Sequence, residues 1–167
     1  MEKVLSVLNE MERAGVIGRY AIGGAVGAIF YMEPVLTYDL DIFVNLAADP
    51  GALVSLTPLY EHLRAGGYEP KDEGVAIEGV TVQFLPAFNS LTEEAVAQAR
   101  EITYGKTPSR VMTPEHLAAI MLQTGRPKDR ERLVSFMAEA KLDRDFFEDV
   151  LARHGLTEKW KSWRGME

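Results

Sequence analysis

Two aspartates in one apolar strand constrain this chain more than any other feature. The segment Thr37-Tyr38-Asp39-Leu40-Asp41-Ile42-Phe43-Val44 reads as a strand over 38–44. Aspartate is depleted in strands, so a strand that carries two of them requires a reason. Alternation sends Asp39 and Asp41 to one face and Leu40 and Ile42 to the other, packed face. Same-face neighbours lie roughly 7 Å apart along a strand, near enough for both carboxylates to reach one hard cation. Upstream, Tyr20-Ala21-Ile22-Gly23-Gly24-Ala25-Val26 reads as a strand that ends in a Gly-Gly turn and opens a helix. Bare backbone N–H groups and the positive end of a helix suit a phosphate. Each motif alone is weak, because a Gly pair is often only a tight turn and a D-x-D pair is often a strand end with solvated acids. In order, joined by one short helix over Val26 to Met32, they are the minimum equipment for phosphoryl transfer with a metal ion.

The rest of the chain reads as elements arranged around this centre. Val4, Leu5, Leu8 and Met11 recur at helical spacing and predict an amphipathic first helix, ended by Gly15 and Gly18. A strand over 19–22 follows, then an apolar helix over 25–32 that Pro34 stops. Asp49-Pro50 is a helix start, and Thr57-Pro58 is either a second start or a kink in a helix that runs to Ala65 and closes at Gly66-Gly67. Strands over 75–77 and 80–85 flank a hairpin turn at Glu78-Gly79. Thr92 is expected to cap a helix through about Arg100, and residues 102–112 look extended, with a turn at Gly105-Lys106. Thr113-Pro114-Glu115 then starts the first of three helices. The second covers 127–140 with Leu133, Val134, Met137 and Ala140 on one stripe. The third is capped by Asp143 and carries Phe146, Phe147, Val150 and Leu151, with a short tail after Gly155. The expected class is therefore α+β: a mixed sheet flanked by helices over 1–112, and a C-terminal helical part over 113–167 that forms one wall of a cleft.

Composition narrows the chemistry. The 167 residues contain no cysteine, which excludes disulfides, thiolate zinc sites and thiol nucleophiles. A formal charge of -7 argues against indiscriminate binding to duplex nucleic acid. No apolar run approaches the roughly 20 residues of a membrane span. The start, Met1-Glu2-Lys3, does not read as a signal peptide, and a cytoplasmic protein is expected. His62, His116 and His154 fall in three separate helices at no metal-ligand spacing.

Gly23-Gly24, a short helix, then Thr37-x-Asp39-Leu40-Asp41 and an apolar strand resemble the nucleotidyltransferase superfamily with the DNA polymerase beta-like fold. Within it the chain is similar to small members, including the nucleotidyltransferase-like toxins of abortive-infection systems. A second motif, Gly125-Arg126-Pro127-Lys128-Asp129, looks like the G-R-x-K-D segment of those proteins. The resemblance implies that Asp39 and Asp41 hold Mg²⁺ and that Gly23 and Gly24 hold the phosphates of a nucleoside triphosphate. Thr37 would either hydrogen-bond the phosphate-binding turn or be a strand threonine with no role, and Arg126 and Lys128 would supply positive charge. Relatives often carry a lysine near the position of Met121, which here is apolar. They usually have a third carboxylate, the general base, on a neighbouring strand, where Gln83 stands in this chain. Glutamine can offer a carbonyl oxygen to a metal but accepts no proton at neutral pH. Glu73 and Glu78 are the nearby acids, with Glu78 better suited to the turn. Arg130 and Arg132 read as a solvated helix face.

Two functions follow from the resemblance. The first is transfer of a nucleoside monophosphate to an acceptor hydroxyl on a small molecule, a tRNA end or a protein. The second is a nucleotide-binding or protein-interaction module of the same fold without turnover, related in one form to toxin–antitoxin pairs.

Overall fold

The computed structural model describes residues 1–46 and 55–165. The expected helix start at Asp49-Pro50 lies outside the described residues. Seven strands among them form one mixed sheet. Its centre is β2 (Asp39–Val44), which runs antiparallel to β1 (Tyr20–Ile22) and parallel to β5 (Val80–Pro86). Beyond β5 lie β4 (Gly74–Ile77) and the two-residue β3 (Pro70–Lys71). Beyond β1 lie β7 (Thr107–Val111), parallel to it, and β6 (Arg100–Tyr104).

The pleat decides which face does what. Leu40, Ile42 and Val44 of β2 join Val82 and Phe84 of β5 in one apolar cluster. That cluster is covered by α1 (Glu2–Arg13) through Val4, Leu5, Leu8 and Met11, and by α3 (Thr57–Ala65) through Leu59 and Leu63. The opposite face carries Ala21 and Phe43 and is covered by a second layer of helices. These are α4 (Ser90–Ala97), α5 (Pro114–Thr124), α6 (Pro127–Glu139) and α7 (Arg144–Arg153). Period-two alternation therefore turns Asp39 and Asp41 toward the helical layer and not toward α1.

Local signals set the boundaries. Both residues of the Glu78-Gly79 turn are left-handed, at φ 49° and 82°, the geometry of a two-residue hairpin whose twist matches its strands. Thr57-Pro58 acts as a separate start, with Pro58 in the first turn of α3, but Thr57 is the first helical residue and not its cap, a position held by Leu56. Thr113 caps α5 by accepting from the His116 backbone, and Asp143 caps α7 by accepting from that of Phe146.

Five expectations need correction. The apolar helix after the Gly pair is only α2 (Gly24–Ile29), since Phe30 to Met32 form a turn. The cap of α4 is Asn89, not Thr92; Thr92 sits at the third helical position and closes a reciprocal capping box with it. That helix ends before Arg100, which already pairs with Val111 in the sheet. On α6 Leu133, Met137 and Ala140 do face the core, but Phe136 takes the place expected of Val134, which is 52% exposed. The tail forms a further helix, α8 (Thr157–Arg164), whose Trp160 packs edge-on against Phe147 at 5.5 Å.

A polar staple joins three of these helices. Buried His116 of α5 lies between Thr113 Oγ1 at 2.8 Å and Glu94 Oε1 of α4 at 2.9 Å. Burial pushes the His116 imidazole below its ordinary range, so the neutral ring can donate from Nε2 to Glu94 and accept at Nδ1 from Thr113. His154, after α7, reaches the other Glu94 oxygen at 2.8 Å, and Arg153 pairs with the same oxygen. Burial works against the charge on Glu94, but hydrogen bonds from Arg153, His116 and His154 outweigh it and hold this carboxyl at about 2.

Candidate active site

The carboxylate pair is built by β2 and fixed from two sides. Thr37 donates its hydroxyl to Oδ1 of Asp39 at 3.2 Å, so it steers the first acid and not the glycine turn. Asp41 lies against Gly24, where a Cβ would collide with the carboxylate, and Gly24 itself is left-handed at φ 54°. Only glycine meets both conditions without strain. Gly23 does not line the cleft. Its N–H donates to the Asp41 carbonyl at 3.0 Å, and its missing Cβ makes room for the Phe43 ring. Burial and the neighbouring Asp39 charge push the Asp41 carboxyl up to about 6, while Arg126, Arg132 and Lys128 pull it down.

Gln83 stands beside the pair. In the parallel register of β2 and β5, Asp41 is opposite Gln83, and Phe43 is opposite Leu85. Glu78 is held at its turn by the Tyr68 hydroxyl at 2.7 Å and is not among the residues that line the cleft. Glu73 instead lines the cleft and accepts from Gln83 Nε2 at 3.5 Å. Among the described residues no group of three or more His, Cys, Asp or Glu side chains is spaced to hold a metal.

The facing wall is basic. Helix α5 ends at Gly125 in the left-handed conformation, φ 69°, and the chain turns into α6 at Arg126 and Pro127. Asp129, 3% exposed, accepts from Arg126 Nε at 2.7 Å, from Nη2 at 3.2 Å and from its backbone N–H at 3.2 Å. The guanidinium is thus held by a buried acid with its outer edge toward the cleft. Lys128 and Arg132, one turn apart on α6, also line the cleft and have no hydrogen-bond or ion-pair partner among the described residues. Arg130 turns the other way, donating to the Trp163 carbonyl at 3.3 Å and lying 5.5 Å over its ring. The two arginines that the sequence reads alike therefore part company: Arg130 is structural and Arg132 faces the site. Their spacing held the signal, since residues 128 and 132 share a helix face and 130 does not.

Sheet and helices enclose a cleft of about 700 Å³. Asp39, Asp41, Gln83 and Glu73 line it from the sheet and its hairpin, and Arg126, Lys128, Glu131 and Arg132 from α6 and its start. Phe43, Leu85, Met112, Leu117 and Met121 give it apolar lining as well. A site with both charged and apolar walls suits an anion joined to a flat or apolar group.

No protein-family model and no curated protein sequence matches the chain. Solved structures do match it. One is an antigenic nucleotidyltransferase-like protein from Paracoccidioides brasiliensis, with 16% identity over 96% of this chain and 91% of that one, at a TM-score of 0.55. Another is ANT(2″)-Ia in complex with adenylyl-2″-tobramycin, with 13% identity over 98% of each chain, at a TM-score of 0.50. The paired aspartates of the central strand, the glycine turn against them and the basic helix start across the cleft are thus set in a nucleotidyltransferase-like fold.

Proposed function

We propose that this protein transfers a nucleoside monophosphate from a nucleoside triphosphate to an acceptor hydroxyl, with Mg²⁺ bound by Asp39 and Asp41. One observation carries the reading: the aspartate pair lines the same cleft as Arg126, Lys128 and Arg132. The donor set fits the ion. Two carboxylates on one strand face are hard oxygen ligands, and the mutual repulsion felt by Asp41 is what a divalent cation relieves. When bound, the ion would supply Lewis-acid stabilisation of the phosphate charge. The chain's own residues do the rest. Arg126 and Lys128, with Arg132, hold the phosphates and offset the charge that builds on the leaving pyrophosphate. Gly24 keeps the backbone close to the carboxylates, and Thr37 fixes the rotamer of Asp39. The structural neighbour seen with adenylyl-2″-tobramycin supports a nucleotide donor, and makes small-molecule hydroxyls the first acceptors to try.

A second reading, a nucleotide-binding module without turnover, is favoured by the neutral Gln83 opposite Asp41. Calorimetry with ATP, GTP, CTP and UTP, with and without Mg²⁺, tests the shared part. Metal-dependent binding to the wild type, lost in Asp39→Asn/Asp41→Asn, is the expected result. A folded wild type that binds none of the four would overturn both readings.

A further inference from the structure

Nucleotidyl transfer needs a group that takes the proton of the acceptor hydroxyl. Of the acids in the cleft, Asp39 and Asp41 are assigned to the cation, and Asp129 is taken up by Arg126. Glu131 stands on α6 beside Lys128 and Arg132, on the wall assigned to the phosphates. Glu73 remains. It has no ion-pair partner among the described residues, and it forms no three-acid cluster with Asp39 and Asp41.

The position of Glu73 is built into the hairpin. Lys71 pairs with Gly74, so Asp72 and Glu73 form a two-residue turn between β3 and β4. Asp72 is left-handed at φ 56°, an uncommon state for a residue other than glycine. Gly74 lets the hairpin close down on β5, since a Cβ there would stand 3.0 Å from the Val82 carbonyl oxygen and 3.1 Å from Thr81 Cγ2. The turn so formed delivers Glu73 to the amide of Gln83, the residue opposite Asp41. This carboxylate accepts from a neutral amide through one oxygen only and lines the cleft, so its other oxygen is left to take a proton.

Resting on the nucleotidyl-transfer reading, the geometry points to Glu73 as the general base. The acceptor hydroxyl gives its proton to the Glu73 carboxylate, and its oxygen lone pair forms the bond to the α-phosphorus. The bond from the α-phosphorus to the bridging oxygen breaks, and pyrophosphate leaves with that electron pair. Glu73 then returns the proton to water. The acid absent from β5 at Gln83 is supplied by the neighbouring hairpin.

The test is pyrophosphate release from the Mg²⁺ complexes of the four nucleotides, with tobramycin, simple polyols and unfractionated tRNA as acceptors. Nucleotide binding is measured in parallel by calorimetry. Glu73→Gln should lower kcat by about 10²–10⁴-fold while nucleotide affinity stays within about twofold, and Glu73→Asp should recover part of the rate. An unchanged kcat in Glu73→Gln would overturn the assignment. So would an equal loss of nucleotide binding, which would make the residue a binding or structural group. A wild type that binds nucleotide and Mg²⁺ but releases no pyrophosphate with any acceptor would also overturn it, leaving the binding module. A wild type that binds no nucleotide fails earlier, at the transfer reading itself.

Discussion

The Asp41 carboxylate occupies the space that a Cβ on Gly24 would need. Gly24 is also left-handed, at φ 54°. Gly24→Ala therefore meets a backbone penalty and an overpacking penalty together, and should destabilise the fold by about 2–4 kcal/mol in urea denaturation. The same substitution placed in Asp41→Ala should be milder, because the collision is gone. Equal effects in the two backgrounds would show that the pair is not coupled.

Asp41 should trade stability for function. Its carboxyl is raised from 3.8 to about 6, chiefly by burial and then by Asp39. A raised acid favours the folded state only while protonated. The penalty of its charge is thus absent below the ordinary value, grows as pH climbs toward 6, and is complete above that. In metal-free protein with EDTA, Asp41→Asn should be more stable than wild type at pH 7 by about 1–3 kcal/mol, and nearly equal to it at pH 3.5. A variant less stable than wild type at pH 7 would contradict this account.

The alternation along α6 separates binding from stability. Arg132→Ala should weaken nucleotide binding about tenfold and leave the melting temperature nearly unchanged. Arg130→Ala should lower the melting temperature by a few degrees and leave binding intact, because that arginine serves Trp163. Calorimetry and thermal melts on the two variants decide it. The reverse pattern would place the wrong arginine in the cleft.

Acid should loosen the helical layer through Glu94 and His116. Both are held below their ordinary values, so both contribute stability that is present at neutral pH and is lost on acidification. The loss begins as pH falls below the ordinary histidine value of 6.5, and continues from 4.5 toward about 2 as Glu94 is protonated. Glu94→Gln should cost roughly 2–4 kcal/mol at pH 7 and flatten the part of the pH dependence that lies below 4.5, where Glu94 itself is protonated. Urea denaturation at pH 7, 4.5 and 2.5 measures both effects, and an unchanged slope between pH 4.5 and 2.5 would sink the assignment.

The sequence displayed its acids clearly because a strand has only two faces. Once Leu40 and Ile42 were read as buried, Asp39 and Asp41 had one direction left. The hairpin at Glu78-Gly79 and the start at Thr113-Pro114 were legible for the same local reason, a turn or cap chemistry with few alternatives. What escaped reading depended on contacts across long separations. Thr92 looks like a cap until Asn89 is seen to accept from its backbone. The role of Arg132 depends on which side of α6 the sheet lies, and Arg130 is claimed by a tryptophan 33 residues away. Glu73 and Gln83 are ten residues apart in sequence, and only the pairing of β4 with β5 brings them together.

The helix α8 gives the site an order of assembly. Lys159 Nζ donates to the Gln123 carbonyl at 3.1 Å, and the Trp163 ring lies beneath both Lys159 and Arg130. These contacts clasp the turn that carries Arg126 and Lys128. Both carboxylates are in place once β2 and β5 have paired, within the first 86 residues, whereas the clasp waits for residues 157–164. Some seventy residues therefore separate the acidic side of the cleft from the helix that fastens its counter-charge. A chain that stops before Thr157 keeps Arg126, Lys128 and Arg132 but loses the contacts that clasp their turn, so the basic wall is the part that such a shortening would loosen first.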